Sequence, residues 1–185
     1  MMEHPGDPSR VATILPGRAY APGFPLLRYC VMLLVDRGWS VREVCWEHGD
    51  RATPEQAARE SARALDQVSA RQHLVVAKSL GGSALPYAVE RGLPGVWLTP
   101  VLTVPAVAEA VARLTAPSLV VGGTADQFWD SHADIGPGAR VLELSGADHA
   151  LEHGTDVHRA LGALRQVVDA VATFLDELDG GSNAY

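Results

Sequence analysis

The chain predicts an α/β fold: one domain, a three-layer α/β/α sandwich built on a mostly parallel sheet of about six strands. Two observations carry this. Short apolar runs alternate with helical patterns from residue 11 to residue 178. Such alternation makes each helix a crossover between parallel strands, with helices on both faces of the sheet. The length, 185 residues, suits a single domain with a real core.

Each element has its own signal. Residues 1–10, MMEHPGDPSR, are polar and contain Pro5 and Pro8; they are expected to be a loose, flexible N-terminus. Val11–Leu15 is the first strand and ends at Pro16-Gly17. A loop carrying Tyr20 follows. Leu26–Arg37 reads as a helix, with Leu26, Leu27, Cys30, Leu33 and Leu34 on one stripe and Gly38 just past its end. Trp39–Trp46 reads as a strand. Thr53-Pro54-Glu55-Gln56 starts a helix: Thr53 is a good N-cap, Pro54 suits the first helical position, and Gln56 completes a capping box. That helix is expected to end near Ala70.

Leu74–Ala77 is a buried strand, followed by a helical pattern that contains Pro86. Proline removes a backbone donor, so a kink or a restricted first turn is expected there. Gly95–Leu98 is the next strand, and Thr103-Val104-Pro105 starts a helix. Ser118–Val121 is a strand ending in Gly122-Gly123. Residues 124–138 are loop with a possible short helical turn, and Arg140–Leu144 is the last strand. After a loop over Gly146–Gly154, a helix runs from Thr155 to about Leu178. Its apolar residues Val157, Leu161, Leu164, Val168, Val171, Leu175 and Leu178 recur every three or four positions. The domain therefore spans 11–178, with 179–185 as a flexible tail.

Composition bounds the function. The chain is 47% apolar and 20% charged, as in soluble globular proteins. A net charge of −7 argues against a nucleic-acid partner. No apolar run reaches the roughly 18 residues that span a bilayer. The N-terminus has no secretory leader pattern. Cys30 and Cys45 make no disulfide framework. A cytoplasmic protein with reduced thiols is the expectation.

The chemistry centres on HLVVAKSLGGSALPYAVERG, residues 73–92. A strand, a serine at position 79, two glycines and a helix form the setting of a nucleophile elbow. A sharp turn would lift the Ser79 hydroxyl clear of the sheet. Ala77 and Gly81, two residues either side, are small enough for the chain to cross itself closely. The helix N-terminus would offer N–H groups to an oxyanion. The plainer reading is that Ser79 only caps the helix.

A nucleophilic serine needs a base, and the base needs an orienting group. The strand at 118–121 leads into GGTADQFWD, which puts Asp126 at the carboxyl edge of the sheet. The strand at 140–144 leads into SGADHALEHG, which puts His149 at the same edge. Asp126 could instead be a turn residue. Asp130 and Asp134 are rivals in its loop, Asp130 the better one. Asp148 precedes His149 and is poorly placed to reach its ring.

The order Ser79, Asp126, His149, with LPGRAY, AKSLGG, VVGGTAD and GADHALE around the site, resembles the α/β-hydrolase superfamily, in particular its small capless members. The resemblance covers the chain from Val11 to Leu178. It implies a minimal, single-domain hydrolase fold without a cap, because few residues separate the strand at 95–98 from the next helix. An open site is expected. The resemblance implies Ser79 as nucleophile, His149 as base and Asp126 as acid. It also implies oxyanion donors from the backbone N–H of Leu80 and of Arg18, with Gly17 as the alternative. Ala77 stands where glycine is commonest, Pro16 where many members carry histidine, and there is no room for the two N-terminal antiparallel strands of larger members.

The implied activity is hydrolysis of a carboxylic ester or thioester of a small acyl substrate, without a cofactor. Two alternatives stay open. One is acyl transfer, elimination or cyclisation by the same residues; the other is a non-catalytic binding role on the same fold. His149-Ala150-Leu151-Glu152-His153 also matches H-x-x-E-H, a zinc pattern that needs a helix and a third ligand. The bracketing Gly146 and Gly154 disfavour it, so no metal is expected. Lys78 is either an exposed elbow residue, the favoured reading, or an aid to an anionic substrate. Tyr20, Phe128 and Trp129 either line a substrate pocket or pack against the loops that carry them. The other histidines, His73 among them, are scattered without ligand spacing.

Overall fold

The sheet has seven strands, and the computed structural model describes residues 2–181. The strands are β1 (Met2–His4), β2 (Asp7–Leu15), β3 (Trp39–Glu43), β4 (Gln72–Lys78), β5 (Gly95–Leu98), β6 (Ser118–Gly123) and β7 (Ala139–Leu144). Their spatial order is β1-β3-β2-β4-β5-β6-β7. All neighbours pair in parallel except β1 with β3. The helices are α1 (Pro25–Asp36), α2 (Pro54–Asp66), α3 (Leu85–Glu90), α4 (Pro105–Ala112) and α5 (Val157–Gly181).

Two hydrophobic layers cover the sheet, and strand periodicity assigns the residues to them. Leu74 and Val76 of β4, Ala12 and Ile14 of β2, and Leu119 and Val121 of β6 join α1 and α5. Val75 and Ala77, Leu15 and Val120 join α2, α3 and α4 on the other face. Alternate residues of a strand point to opposite faces. Because both faces are covered, the inner strands read as unbroken apolar runs rather than as alternation.

Local chemistry explains the element ends. At α2, Gln56 N–H donates to Thr53 Oγ1 at 3.3 Å and Thr53 N–H to Gln56 Oε1 at 2.8 Å. That is the reciprocal cap the sequence predicts. The helix stops at Asp66, earlier than expected. Pro86 marks a change of helix type. A 3-10 helix over Ser79–Ala84 comes first, and Pro86 falls in the opening turn of α3, a position that tolerates proline. No helical element lies between β6 and β7. Turns stand there instead, with Phe128 N–H on Asp126 Oδ1 and His132 N–H on Asp130 Oδ1.

The chain start departs from expectation. Residues 2–4 form an antiparallel edge strand on β3, and β2 begins at Asp7. So residues 2–4 and 7–10 are strand, and the sheet has seven strands rather than six. The polar sequence reflects an edge that faces solvent; Met2 and Glu3 are exposed. His4 Nε2 lies 2.7 Å from Glu43 Oε1, adding a side-chain tie. One antiparallel strand therefore does fit before β2. At the other end α5 runs on to Gly181, and Asp179 pairs with the Arg10 guanidinium. Residues 179–181 thus belong to the helix. The rest of the expected tail, 182–185, lies outside the described residues. No described helix is long and apolar enough to cross a membrane.

Candidate active site

Ser79 follows the last residue of β4, the central strand, and its backbone is left-handed with φ 50°. For a residue with a Cβ this costs about 1–3 kcal/mol and persists only where the surroundings enforce it. Gly81 is the reason the turn closes. A Cβ there would collide with the carbonyl oxygen of Leu15 on β2. Ala77 is buried at 1% exposure against the opposite layer, so a small residue suffices at that position.

Ser79, His149 and Asp126 form one hydrogen-bonded chain. Ser79 Oγ lies 2.7 Å from His149 Nε2, and His149 Nδ1 lies 2.7 Å from Asp126 Oδ2. The Asp126 side chain is fully buried, while 30% of the His149 side chain is exposed. Asp126 Oδ1 accepts from Phe128 N–H at 2.9 Å, so both carboxylate oxygens are engaged. Asp130 caps its own turn and takes no part. Asp148 accepts from the N–H groups of Ala150 and Glu152 and shapes the loop that presents His149. The two loops are tied: Ala125 N–H donates to Ala147 O, and Gly146 N–H to Thr124 Oγ1 at 2.7 Å.

Burial pushes the His149 pKa below its ordinary value. The nearby Lys78 charge pushes the same way, and Asp126 opposes both. Lys78 is lowered from 10.5 to about 8, first by burial, against the pull of Asp126 and Asp148. The expectation that Lys78 is exposed is wrong: it is 2% exposed. Its Nζ donates to Thr99 Oγ1 at 2.7 Å and to the His149 carbonyl at 2.8 Å.

The other predicted residues divide. The Tyr20 ring lies 5.1 Å from Lys78 Nζ, and its hydroxyl accepts from Leu26 N–H. Phe128 stands edge-on to the His149 ring at 4.9 Å. Trp129 is packing: it sits over Gly122, where a Cβ would strike its ring, and donates to Glu143 Oε2 at 2.7 Å. Gly17 N–H already donates to Tyr20 O at 3.1 Å, which leaves Arg18 as the better of the two donors named for that loop. The Arg18 loop is further held by Ala19 N–H on Asp50 Oδ1.

Two clefts meet at Ser79, His149 and Arg18. One, about 490 Å³, is lined mostly by polar and charged residues and adds Tyr20, Lys78, Gln127 and Asp148. The other, about 470 Å³, is apolar and adds Leu80, Val101, Val104, Val107 and Phe128. A third cleft of about 530 Å³ lies against α1 and shares no residue with them. The sequence reading missed Thr99, Val101 and Val104. Their signal was position alone, since they directly follow β5 at the edge that carries Ser79. Among the described residues no group of three or more His, Cys, Asp or Glu is arranged to hold a metal. His153 of the H-x-x-E-H pattern instead lies 3.1 Å from the Ser145 carbonyl through Nε2.

No protein-family model and no curated protein sequence matches the chain. Solved structures do. Est1E from Butyrivibrio proteoclasticus, solved with bound ferulic acid, superposes with a TM-score of 0.72 at 14% identity, over 95% of this chain and 93% of its own. Mouse alpha/beta hydrolase domain-containing protein 10 gives 0.72 at 13% identity, over 96% and 93%. The chain has the α/β-hydrolase fold. Dienelactone hydrolase from Anabaena variabilis extends this, with a TM-score of 0.68 at 17% identity, over 94% and 88%. The α/β-hydrolase sheet here keeps one antiparallel edge strand and passes from β5 to α4 through residues 99–104 alone, with no cap between them.

Proposed function

We propose that the protein is a serine hydrolase of carboxylic esters or thioesters, acting on a small acyl substrate. The observation that carries this is the unbroken chain from Ser79 Oγ through both ring nitrogens of His149 to buried Asp126, with 2.7 Å at each link. A helix-capping serine has no need of that arrangement. Three hydrolases of the same fold, one with a carboxylic acid bound, support the same class of chemistry.

In the mechanism, Ser79 Oγ attacks the acyl carbon and its proton passes to His149 Nε2. Asp126 holds the Nδ1–H tautomer and stabilises the imidazolium. The oxyanion receives the N–H of Leu80, in the first turn of the 3-10 helix, and the N–H of Arg18. Each donor is worth on the order of 10²–10³ in rate. The tetrahedral adduct collapses, and the leaving alcohol or thiol takes the proton from Nε2. Water then loses a proton to His149, attacks the acyl-enzyme, and returns Ser79. The apolar cleft suits the hydrocarbon part of the substrate, and the polar cleft beside Arg18 suits its polar part.

Labelling with a fluorophosphonate tests this. Wild type takes up the probe and Ser79→Ala does not. A folded wild type that stays unlabelled overturns the hydrolase, and labelling that survives Ser79→Ala overturns the nucleophile. Turnover of p-nitrophenyl esters against acyl thioesters separates the two substrate classes.

A further inference from the structure

Lys78 has an unusual setting for a residue beside an exposed nucleophile. It follows Leu74 and Val76 at even spacing, so its side chain leaves β4 on the α1/α5 face and is covered there. Among the described residues no carboxylate lies within 4.0 Å of its Nζ. The neutral oxygens of Thr99 and of the His149 carbonyl hold it instead. Thr99 is wholly buried and left-handed, with φ 44°. Strained backbone therefore stands behind both Ser79 and the partner of Lys78. The charged and titratable groups around the ammonium are the carboxylates of Asp126 and Asp148, the ring of His149, the ring and hydroxyl of Tyr20, and Arg18 across the polar cleft.

A buried cation without a direct counter-ion is costly, and apolar replacements of such groups are often neutral or stabilising. Stability does not account for this lysine; its position does. It binds the backbone of the residue that bears the base, and its charge opposes a second positive charge on that ring.

We propose that Lys78 is a positioning residue: its buried ammonium tethers the His149 backbone to the end of β5 and sets a positive charge against a proton on the resting His149 ring. The role in turnover rests on the hydrolase reading above; the effect on the His149 ring does not. Asp126 and Lys78 then act at different moments. Lys78 disfavours a proton on the resting ring, and Asp126 stabilises the imidazolium when it forms.

The test follows the His149 ring by NMR titration in wild type, Lys78→Met and Lys78→Gln. Wild type titrates below the ordinary histidine value of about 6.5. Both variants lose the charge, and the ring titrates about one pH unit higher. The acid limb of kcat/KM moves with it. The fluorophosphonate rate at pH 8, where the ring is neutral in every form, reads the tether. It falls roughly tenfold or more in Lys78→Met and less in Lys78→Gln, whose amide still donates. Unchanged His149 titration in both variants overturns the charge role. A wild-type ring titrating at or above 6.5 overturns it even if neither variant folds. An unchanged rate at pH 8 in Lys78→Met overturns the tether. A wild type that never labels removes the hydrolase reading, while the ring titration still decides the effect on His149.

Discussion

His73 and Lys78 stand near opposite ends of β4, and both are ionisable groups drawn out of water. His73 Nε2 lies 3.0 Å from Thr13 Oγ1, and burial with the like charge of Arg42 lowers its pKa from 6.5 to about 4. Lys78 is lowered to about 8 by burial, but Asp126 and Asp148 pull the other way. At neutral pH the histidine is therefore uncharged and the lysine is mostly charged. Burial leads both shifts, which are of similar size, so the ordinary pKa of each group decides which one keeps its charge. On β4 charge is kept at the carboxyl end, where open parallel sheets bind their ligands.

The comparison can be broken most severely from the acid side. Asp126→Asn preserves shape but removes the carboxylate that faces both His149 and Lys78. Loss of the right tautomer lowers kcat/KM by about 10⁴-fold, and steady-state ester hydrolysis measures it. A fall of less than tenfold would mean that Asp126 is not the orienting group.

Stability against pH sharpens the contrast next. Unfolded Lys78 titrates near 10.5 and folded Lys78 near 8. Between those values the unfolded chain holds more protons, so stability rises with pH, by up to about 3 kcal/mol. Urea unfolding at pH 8, 9 and 10 should show this rise in wild type relative to a flatter Lys78→Met. Parallel slopes would contradict a lowered lysine.

The smallest effect on the site is expected from the other end of the strand. Folded His73 resists its proton down to about pH 4. The unfolded chain therefore holds more protons between pH 6.5 and 4, and stability is lost as pH falls through that window. His73→Phe should reduce that loss while changing the Ser79 labelling rate by less than about twofold, since no proton there serves the site. A shifted labelling profile in His73→Phe would remove the distinction between the two ends.

Much of this was legible in the chain. The layers were legible because short apolar runs bounded by turn residues and alternating with helical patterns fit strands buried on both faces. That Ser79, Asp126 and His149 share one edge of the sheet was legible because each lies in the segment that leaves the carboxyl end of a strand. Lys78 was misread because a lysine beside an elbow serine looks like a surface residue. The even spacing from Leu74 and Val76 pointed inward all along. Trp129 was ambiguous since only coordinates show it stacked over Gly122. The edge strand at Met2–His4 was missed because a strand that buries neither face shows no apolar pattern. Thr99 carried no signal beyond its place after β5.

The brevity of the β5–α4 connection has a kinetic meaning. No cap inserted between β5 and α4 covers Ser79, so on the hydrolase reading no cap opening at that point paces the cycle. Turnover should be indifferent to solvent viscosity well below the diffusional ceiling. Without a closing door, bulk water stays in reach of the reacting carbonyl. The dry, low-dielectric surroundings that a lid supplies from above are here confined to the floor, at Asp126 and Lys78, so this site's electrostatic leverage on the reaction comes from beneath the histidine.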